Sequence, residues 1–419
     1  MAGGFKVTRI SEGAVKPAAA TPEETLPLAW VDRHPTHRGL VESMHIFRSG
    51  ADAAPAVIRG ALARALVFFY PLAGRIVEGA EAGAPAIRCT ADGVYFAEAA
   101  AGCSLEEVRF LERPLLLRKE DLVPYPGGDR WGVEPHNTIV MMQVTKFTCG
   151  GFVVGLRFNH AAADGMGAAQ FLTAVGDLAR GLPEPRVKPV WDREKFPNPK
   201  IKPGPLPSLP VLALDYTVLD FPASYIHGLK RQYEEHAGGK FCSGFDVLTA
   251  KLWQCRTRAL NLAPGAEAKL CFFAGVRHLL KLDRGYYGNA IFPVKVSAPA
   301  AAVAGSAIVE VVDMIREAKK RMAAEFSRFA GEETQQDPFR MSFGYESVFV
   351  SDRSKLGFTE VDYGFGPPVF AGPLVNIDLI ASVAILRAPL PLDGTRMLAS
   401  CVTNEHSQEF VRGMKEDLP

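Results

Sequence analysis

Nine prolines between Pro183 and Pro210 (Pro183, Pro185, Pro189, Pro197, Pro199, Pro203, Pro205, Pro207 and Pro210) constrain this chain more than any other feature. Each removes a backbone donor and fixes φ, so the stretch can be neither a sustained helix nor a central strand. It reads as a long crossover that divides the chain into two halves. With 419 residues, 48% of them hydrophobic and 22% charged, each half is long enough to bury its own core. The expected domains are therefore residues 1–182 and 211–419, joined by the crossover 183–210.

Hydrophobic spacing supplies the elements. In the first half, Val57, Ala61, Leu62, Ala65, Leu66 and Phe69 share one helical face between Pro55 and Phe69, and Pro71 and Gly74 then stop the helix. Residues 151 to 160 alternate instead, with Phe152, Val154, Leu156 and Phe158 on one side, which is the period of a strand. From Met166 to Arg180 the spacing is helical again, closed by Gly181 and Pro183. In the second half a helix opens at Ser243, with Asp246 three residues on as an approximate capping box, and another runs from about Ser306 to Phe326. Strand-like runs at Leu270–Val276, Glu346–Val350 and 377–386 lie between and after them. Both halves are thus predicted to be α/β, a mixed sheet covered by helices.

Charge excludes some partners. Lys plus Arg number 47 against 46 Asp plus Glu, a net charge of +1, so no broad basic field exists for nucleic acid or an anionic membrane surface. Seven cysteines, an odd number with no C-x-x-C pair, argue for reduced thiols rather than a disulfide framework or a metal site. No apolar run approaches the roughly 18 residues of a membrane span, and the first residues lack the apolar core of a signal peptide. A cytoplasmic protein without membrane insertion is expected. The final Lys-Glu-Asp-Leu-Pro is read as a coincidental likeness to a retention signal.

His160 is the first candidate for chemistry. It stands where the predicted strand hands over to the helix, at the head of His-Ala-Ala-Ala-Asp (His160 to Asp164). As a string this is weak, since nine histidines and the frequency of aspartate supply about 0.4 such matches by chance. The setting is stronger: an imidazole at the end of a strand, followed by three alanines and Asp-Gly, leaves open space for a substrate. Imidazole is suited to proton abstraction near neutral pH, worth about 10² to 10⁴ in rate. Asp164 either orients the ring or forms a structural ion pair elsewhere. A second candidate, Val361 to Pro368 (V-D-Y-G-F-G-P-P), has glycines that permit unusual dihedrals and prolines that stiffen the turn, but it lacks the spacing of a phosphate-binding loop.

Six ordered words carry a resemblance: Leu62–Arg75 (L-A-R-A-L-V-F-F-Y-P-L-A-G-R), Cys89–Ala99, Phe158–Gly167 (F-N-H-A-A-A-D-G-M-G), Ser243–Trp253, Gly285–Asn289 (G-Y-Y-G-N) and Asp362–Gly366 (D-Y-G-F-G). Over nearly its whole length the chain resembles the plant BAHD acyltransferases, which carry HxxxD near the middle and DFGWG near the C-terminus. The resemblance implies two chloramphenicol-acetyltransferase-like domains with a channel between them, and His160 as the general base. The base takes the proton of an acceptor hydroxyl as it attacks the thioester of an acyl-coenzyme A. It implies no permanently bound cofactor, no metal and no covalent enzyme intermediate; acyl-coenzyme A is a co-substrate, and a monomer is expected. Asp164 and Arg277 are assigned to structural support of the site, as are Asp362, Gly364 and Gly366. Lys240 and Ser243, near a helix start, are the candidates for the coenzyme phosphates. Tyr363 and Phe365 stand where the family usually has Phe and Trp, which keeps aromatic shape but loses an indole donor.

Further wording (L-P-L-A-W-V-D-R, P-N-P-K-I-K-P-G-P-L-P and A-P-L-P-L-D-G-T-R-M-L-A-S-C-V) is similar to the grass p-coumaroyl-CoA:monolignol transferases of that family, which esterify phenylpropanoid alcohols before lignification. The alternatives are another acyl donor or alcohol acceptor, or an inactive homologue that only binds. Family members that accept shikimate or quinate clamp a carboxylate with an arginine just before the second motif. The corresponding position here is Lys355, with Arg353 nearby.

Overall fold

The strand predicted over 151 to 160 forms as Phe152–Asn159, and the helix after it as Gly165–Ala179. This computed structural model describes residues 4–79, 84–126, 134–201, 204, 209, 211–373, 380–416 and 418. The chain divides into two compact units, each a mixed six-stranded sheet with helices. The expected α/β architecture is what the structure shows.

In the first unit the sheet runs, edge to edge, Val7–Val15, Val94–Ala101, Val140–Lys146, Phe152–Asn159, Leu40–Phe47 and Phe370–Gly372. One pair of neighbours is parallel and the others antiparallel. The helices Ala54–Phe68 and Gly165–Ala179 share the core of this unit with Phe47, Phe152, Val154, Leu156 and Phe158. The alternate residues of the strand face this core, but Val153 and Gly155 on its other face are buried too, and on the first helix Ile58 is fully buried where Val57 is only half-buried.

In the second unit the order is Ile291–Pro299, Glu267–Gly275, Ser347–Asp352, Ser382–Arg387, Gly394–Thr403 and Leu214–Pro222. The helix predicted to open at Ser243 is Gly244–Leu260, and it is buried nearly all round. The next begins at Ile308 and continues to Ala330, past the predicted end at Phe326. The strand predicted over 377–386 forms as Ser382–Arg387, while 377–379 lie outside the described residues.

The domain boundaries differ from those read from the sequence. The first unit comprises Met1–Asn198, Leu280–Ala290 and Leu356–Leu374; the second comprises Pro199–Leu279, Ile291–Lys355 and Val375–Pro419. Asp362, Gly364 and Gly366, expected in the C-terminal domain, therefore belong to the first. The reason is pairing: Phe370–Gly372 adds an antiparallel edge strand beside Leu40–Phe47, and Tyr363 is buried in the first unit's core. Most of the proline-rich crossover, through Asn198, also belongs to this unit.

Candidate functional site

His160 follows the last residue of the Phe152–Asn159 strand, and its backbone is held at several points. Its N–H donates to the Gly39 carbonyl at 3.0 Å, its carbonyl accepts from Asn289 Nδ2 at 2.7 Å, and Asn159 Oδ1 accepts from the Ala161 N–H at 3.1 Å. The Ala162 carbonyl accepts from Arg193 Nη2 at 2.5 Å. Ala161, Ala162 and Ala163 are buried, whereas the His160 side chain is half-buried. A fixed backbone with a partly open imidazole is the arrangement a base requires.

The imidazole stacks on His37, ring centroids 4.9 Å apart and planes at 27°. His37 is buried, and its Nδ1 is 2.7 Å from the Val31 carbonyl. A carbonyl only accepts, so Nδ1 carries the proton. Burial, with His160 beside it, pushes the His37 pKa down to about 3, which keeps this ring neutral. His34 lies 6.0 Å beyond His37, next to Trp30.

Asp164 is the N-cap of the Gly165–Ala179 helix. Its Oδ1 accepts from the Gly167 N–H at 3.0 Å and its Oδ2 from the Ala290 N–H at 3.1 Å. The carboxylate thus ties the helix start to the end of Gly285–Asn289. Gly167 is required here, since a Cβ would lie 1.9 Å from the Tyr287 carbonyl oxygen.

The second motif lies at the other end of the same helix. A Cβ on Gly176 would meet the Asp362 carbonyl oxygen at 2.5 Å, and the helical rise from Asp164 to Gly176 is about 18 Å. Asp362 Oδ1 accepts from the N–H groups of Gly364, Phe365 and Gly366 at 2.7, 3.0 and 3.0 Å. Both glycines have positive φ, 98° and 83°, which this turn demands. Tyr363 packs 5.6 Å from Phe47, and Phe365 meets Phe152 edge-on. Arg180 donates to the Asp362 carbonyl at 2.7 Å. This is a capped loop anchored in the first core, remote from His160.

Arg277, Lys240, Ser243, Arg353 and Lys355 belong to the second unit. Arg277 is half-buried, just past the Glu267–Gly275 strand. Ser243 caps its helix in a reciprocal box with Asp246, whose carboxylate also takes Lys319 Nζ at 2.8 Å. The Ser243 hydroxyl is committed to that cap, and an aspartate already faces the first amides; Lys240 is exposed. Arg353 Nε donates to Ser351 Oγ at 3.3 Å, and burial lowers its pKa. Lys355 is exposed.

Sequence reasoning assigned no role to four residues that surround the base: Asp32, His37, Arg193 and Asn289. Asn289 fell within one of the words that carried the family resemblance, and Arg193 lay inside a crossover read as a connector. Asp32 is fully buried, accepting from Asn289 Nδ2 at 2.8 Å and from the Ala29 N–H at 3.1 Å, with Arg193 Nη1 3.5 Å away. Their separation along the chain gave no local signal.

Comparison with known proteins agrees with this architecture. The model of the Transferase family matches residues 5–417. Acyl transferase 9 of Oryza sativa subsp. japonica is 85% identical over 417 residues, covering 100% of this chain and 99% of the relative. Myricetin 3-O-glucosyl 1,2-rhamnoside 6'-O-caffeoyltransferase AT1 of Crocosmia x crocosmiiflora is 35% identical over 438 residues, 98% of this chain and 99% of the relative. Among solved structures, F. sporotrichioides TRI101 complexed with coenzyme A and T-2 superposes with a TM-score of 0.71 at 16% identity, covering 93% of this chain and 97% of that one. Among the described residues no helix is long and apolar enough to cross a membrane. A family match over almost the full chain, a relative of the same length at high identity and a shared two-unit fold place this chain in the BAHD transferase family of acyl-CoA-dependent acyltransferases.

Proposed function

We propose that this enzyme transfers a p-coumaroyl group from p-coumaroyl-CoA to the side-chain hydroxyl of a monolignol, with His160 as general base. The observation that carries the general-base role is the half-buried His160 imidazole on a backbone pinned by Gly39, Asn289 and Arg193. In the reaction the imidazole takes the acceptor proton as the oxygen forms its bond to the thioester carbonyl carbon. The tetrahedral oxyanion then collapses, the carbon–sulfur bond breaks, and the proton passes from His160 to the departing coenzyme A thiolate. A hydroxycinnamoyl donor is supported by the caffeoyltransferase relative, whose name specifies transfer of such a group. Asp164 and Asp362 serve as structural supports, since their carboxylates are occupied by backbone N–H groups.

A second reading, a carboxylate-bearing acceptor such as shikimate, is favoured by one observation. Arg353 has a hydroxyl partner and no carboxylate among the described residues, and guanidinium binds carboxylates bidentately. Competition between sinapyl alcohol and shikimate for p-coumaroyl-CoA gives the ratio of catalytic efficiencies directly. Preference for sinapyl alcohol supports the monolignol assignment. Equal or greater transfer to shikimate assigns Arg353 or Lys355 to a carboxylate clamp and overturns it.

A further inference from the structure

We propose that Arg193, supplied by the proline-rich crossover, is a positioning residue that holds the His160 base in its productive geometry. The inference rests on the reading of His160 as the base. The turn after His160 is three alanines, which cannot fix their own backbone through long side chains or polar groups. Its carbonyls must be held from outside.

Two donors do this: Asn289 Nδ2 on the His160 carbonyl at 2.7 Å and Arg193 Nη2 on the Ala162 carbonyl at 2.5 Å. Asp32 joins them, accepting from Asn289 Nδ2 at 2.8 Å and facing Arg193 Nη1 at 3.5 Å. The same short segment supplies the Val31 carbonyl that fixes His37, on which the His160 ring stacks. Backbone and ring of the base are therefore referred to one anchor.

The crossover is shaped to deliver this side chain. Arg193 is 2% exposed, with its guanidinium 4.3 Å from the Trp191 ring and 5.4 Å from each of the Tyr286 and Tyr287 rings. Space is cleared for it at Gly288, where a Cβ would stand 1.3 Å from Nη1. Asp192, immediately before it, adopts a left-handed conformation at φ 35°, a strained state for a non-glycine residue that the surroundings must enforce. Burial opposes the charge on Arg193, but Asp32, Tyr286 and Tyr287 outweigh it, so the group stays cationic. Lysine keeps the charge but lacks the fork needed to reach Asp32 and the Ala162 carbonyl together.

The test is a double-mutant cycle on the purified enzyme with p-coumaroyl-CoA and sinapyl alcohol, scored by ester formation. Arg193→Lys is expected to lower kcat by about 10²-fold, the cost of a misplaced reacting group, with KM for both substrates within threefold of wild type. Arg193→Lys added to His160→Gln should cost little more, because the group being positioned is gone. Losses that multiply, or a loss confined to KM, would overturn the positioning role while leaving His160 as the base. A His160→Gln enzyme that keeps its turnover would overturn both. If Arg193→Lys fails to fold, the charge-neutral pair Arg193→Met with Asp32→Asn takes its place in the cycle, read by the same criteria.

Discussion

Lowering the pH from 7.5 to 5.5 should destabilise the first unit through two histidines that the fold keeps neutral. His37 is buried with its pKa lowered to about 3, and His45, buried on the Leu40–Phe47 strand with its ring edge-on to Phe358 at 5.6 Å, is lowered by desolvation to about 4. In the unfolded chain each titrates near 6.5. A folded pKa below the unfolded value gives stability that is present above 6.5 and is lost progressively as the pH falls toward the folded value. At pH 5.5 the unfolded chain has gained about one proton per histidine and the folded unit almost none, which costs about 1.4 kcal/mol for each residue and about 3 kcal/mol for the pair. Urea denaturation at the two pH values, for wild type, His37→Asn and His45→Phe, isolates each contribution as a change of pH dependence. Each variant should lose about 1.4 kcal/mol of the wild-type difference. A variant whose stability falls between pH 7.5 and 5.5 as steeply as wild type would show that its histidine is not held neutral, and the argument from burial would fail.

Asp164→Ala removes a helix cap and strands the buried Ala290 N–H, so it should cost about 1 to 3 kcal/mol of unfolding free energy; an unchanged denaturation midpoint would remove Asp164 from its supporting role. Tyr363→Phe deletes a buried hydroxyl that has no hydrogen-bond partner among the described residues, in a core lined by Phe47. The variant should be as stable as wild type or more stable by up to about 2 kcal/mol, and a clear drop in melting temperature would show that the hydroxyl is satisfied.

Much of the fold could be read because its local periods coincide with burial: Phe152 to Phe158 alternate into the first core, and the Gly165–Ala179 helix presents its periodic face to the same place. The edge strands Val7–Val15 and Leu214–Pro222 went unread because they have few fully buried residues and weak contrast between faces. Central strands such as Val140–Lys146 and Gly394–Thr403 went unread because burial on both faces leaves no alternation. The domain boundary was misplaced for a different reason. Strand pairing between Phe370–Gly372 and Leu40–Phe47 is a long-range choice that no local window records. In the site, the position of His160 at a strand end was legible, as was its small-residue turn. The partners of that turn were not, since Asp32, Arg193 and Asn289 meet only after folding. Arg193 was hidden further by its setting among prolines, a composition that signals a connector and says nothing of the side chains it carries.

His160→Gln tests the central claim most directly, with turnover of p-coumaroyl-CoA and sinapyl alcohol measured beside coenzyme A affinity by calorimetry. General-base catalysis predicts a fall in kcat of about 10² to 10⁴ with binding of coenzyme A preserved. A variant that binds coenzyme A normally and retains more than about a tenth of wild-type turnover would contradict the account, because loss of a general base costs about 10²-fold or more in rate.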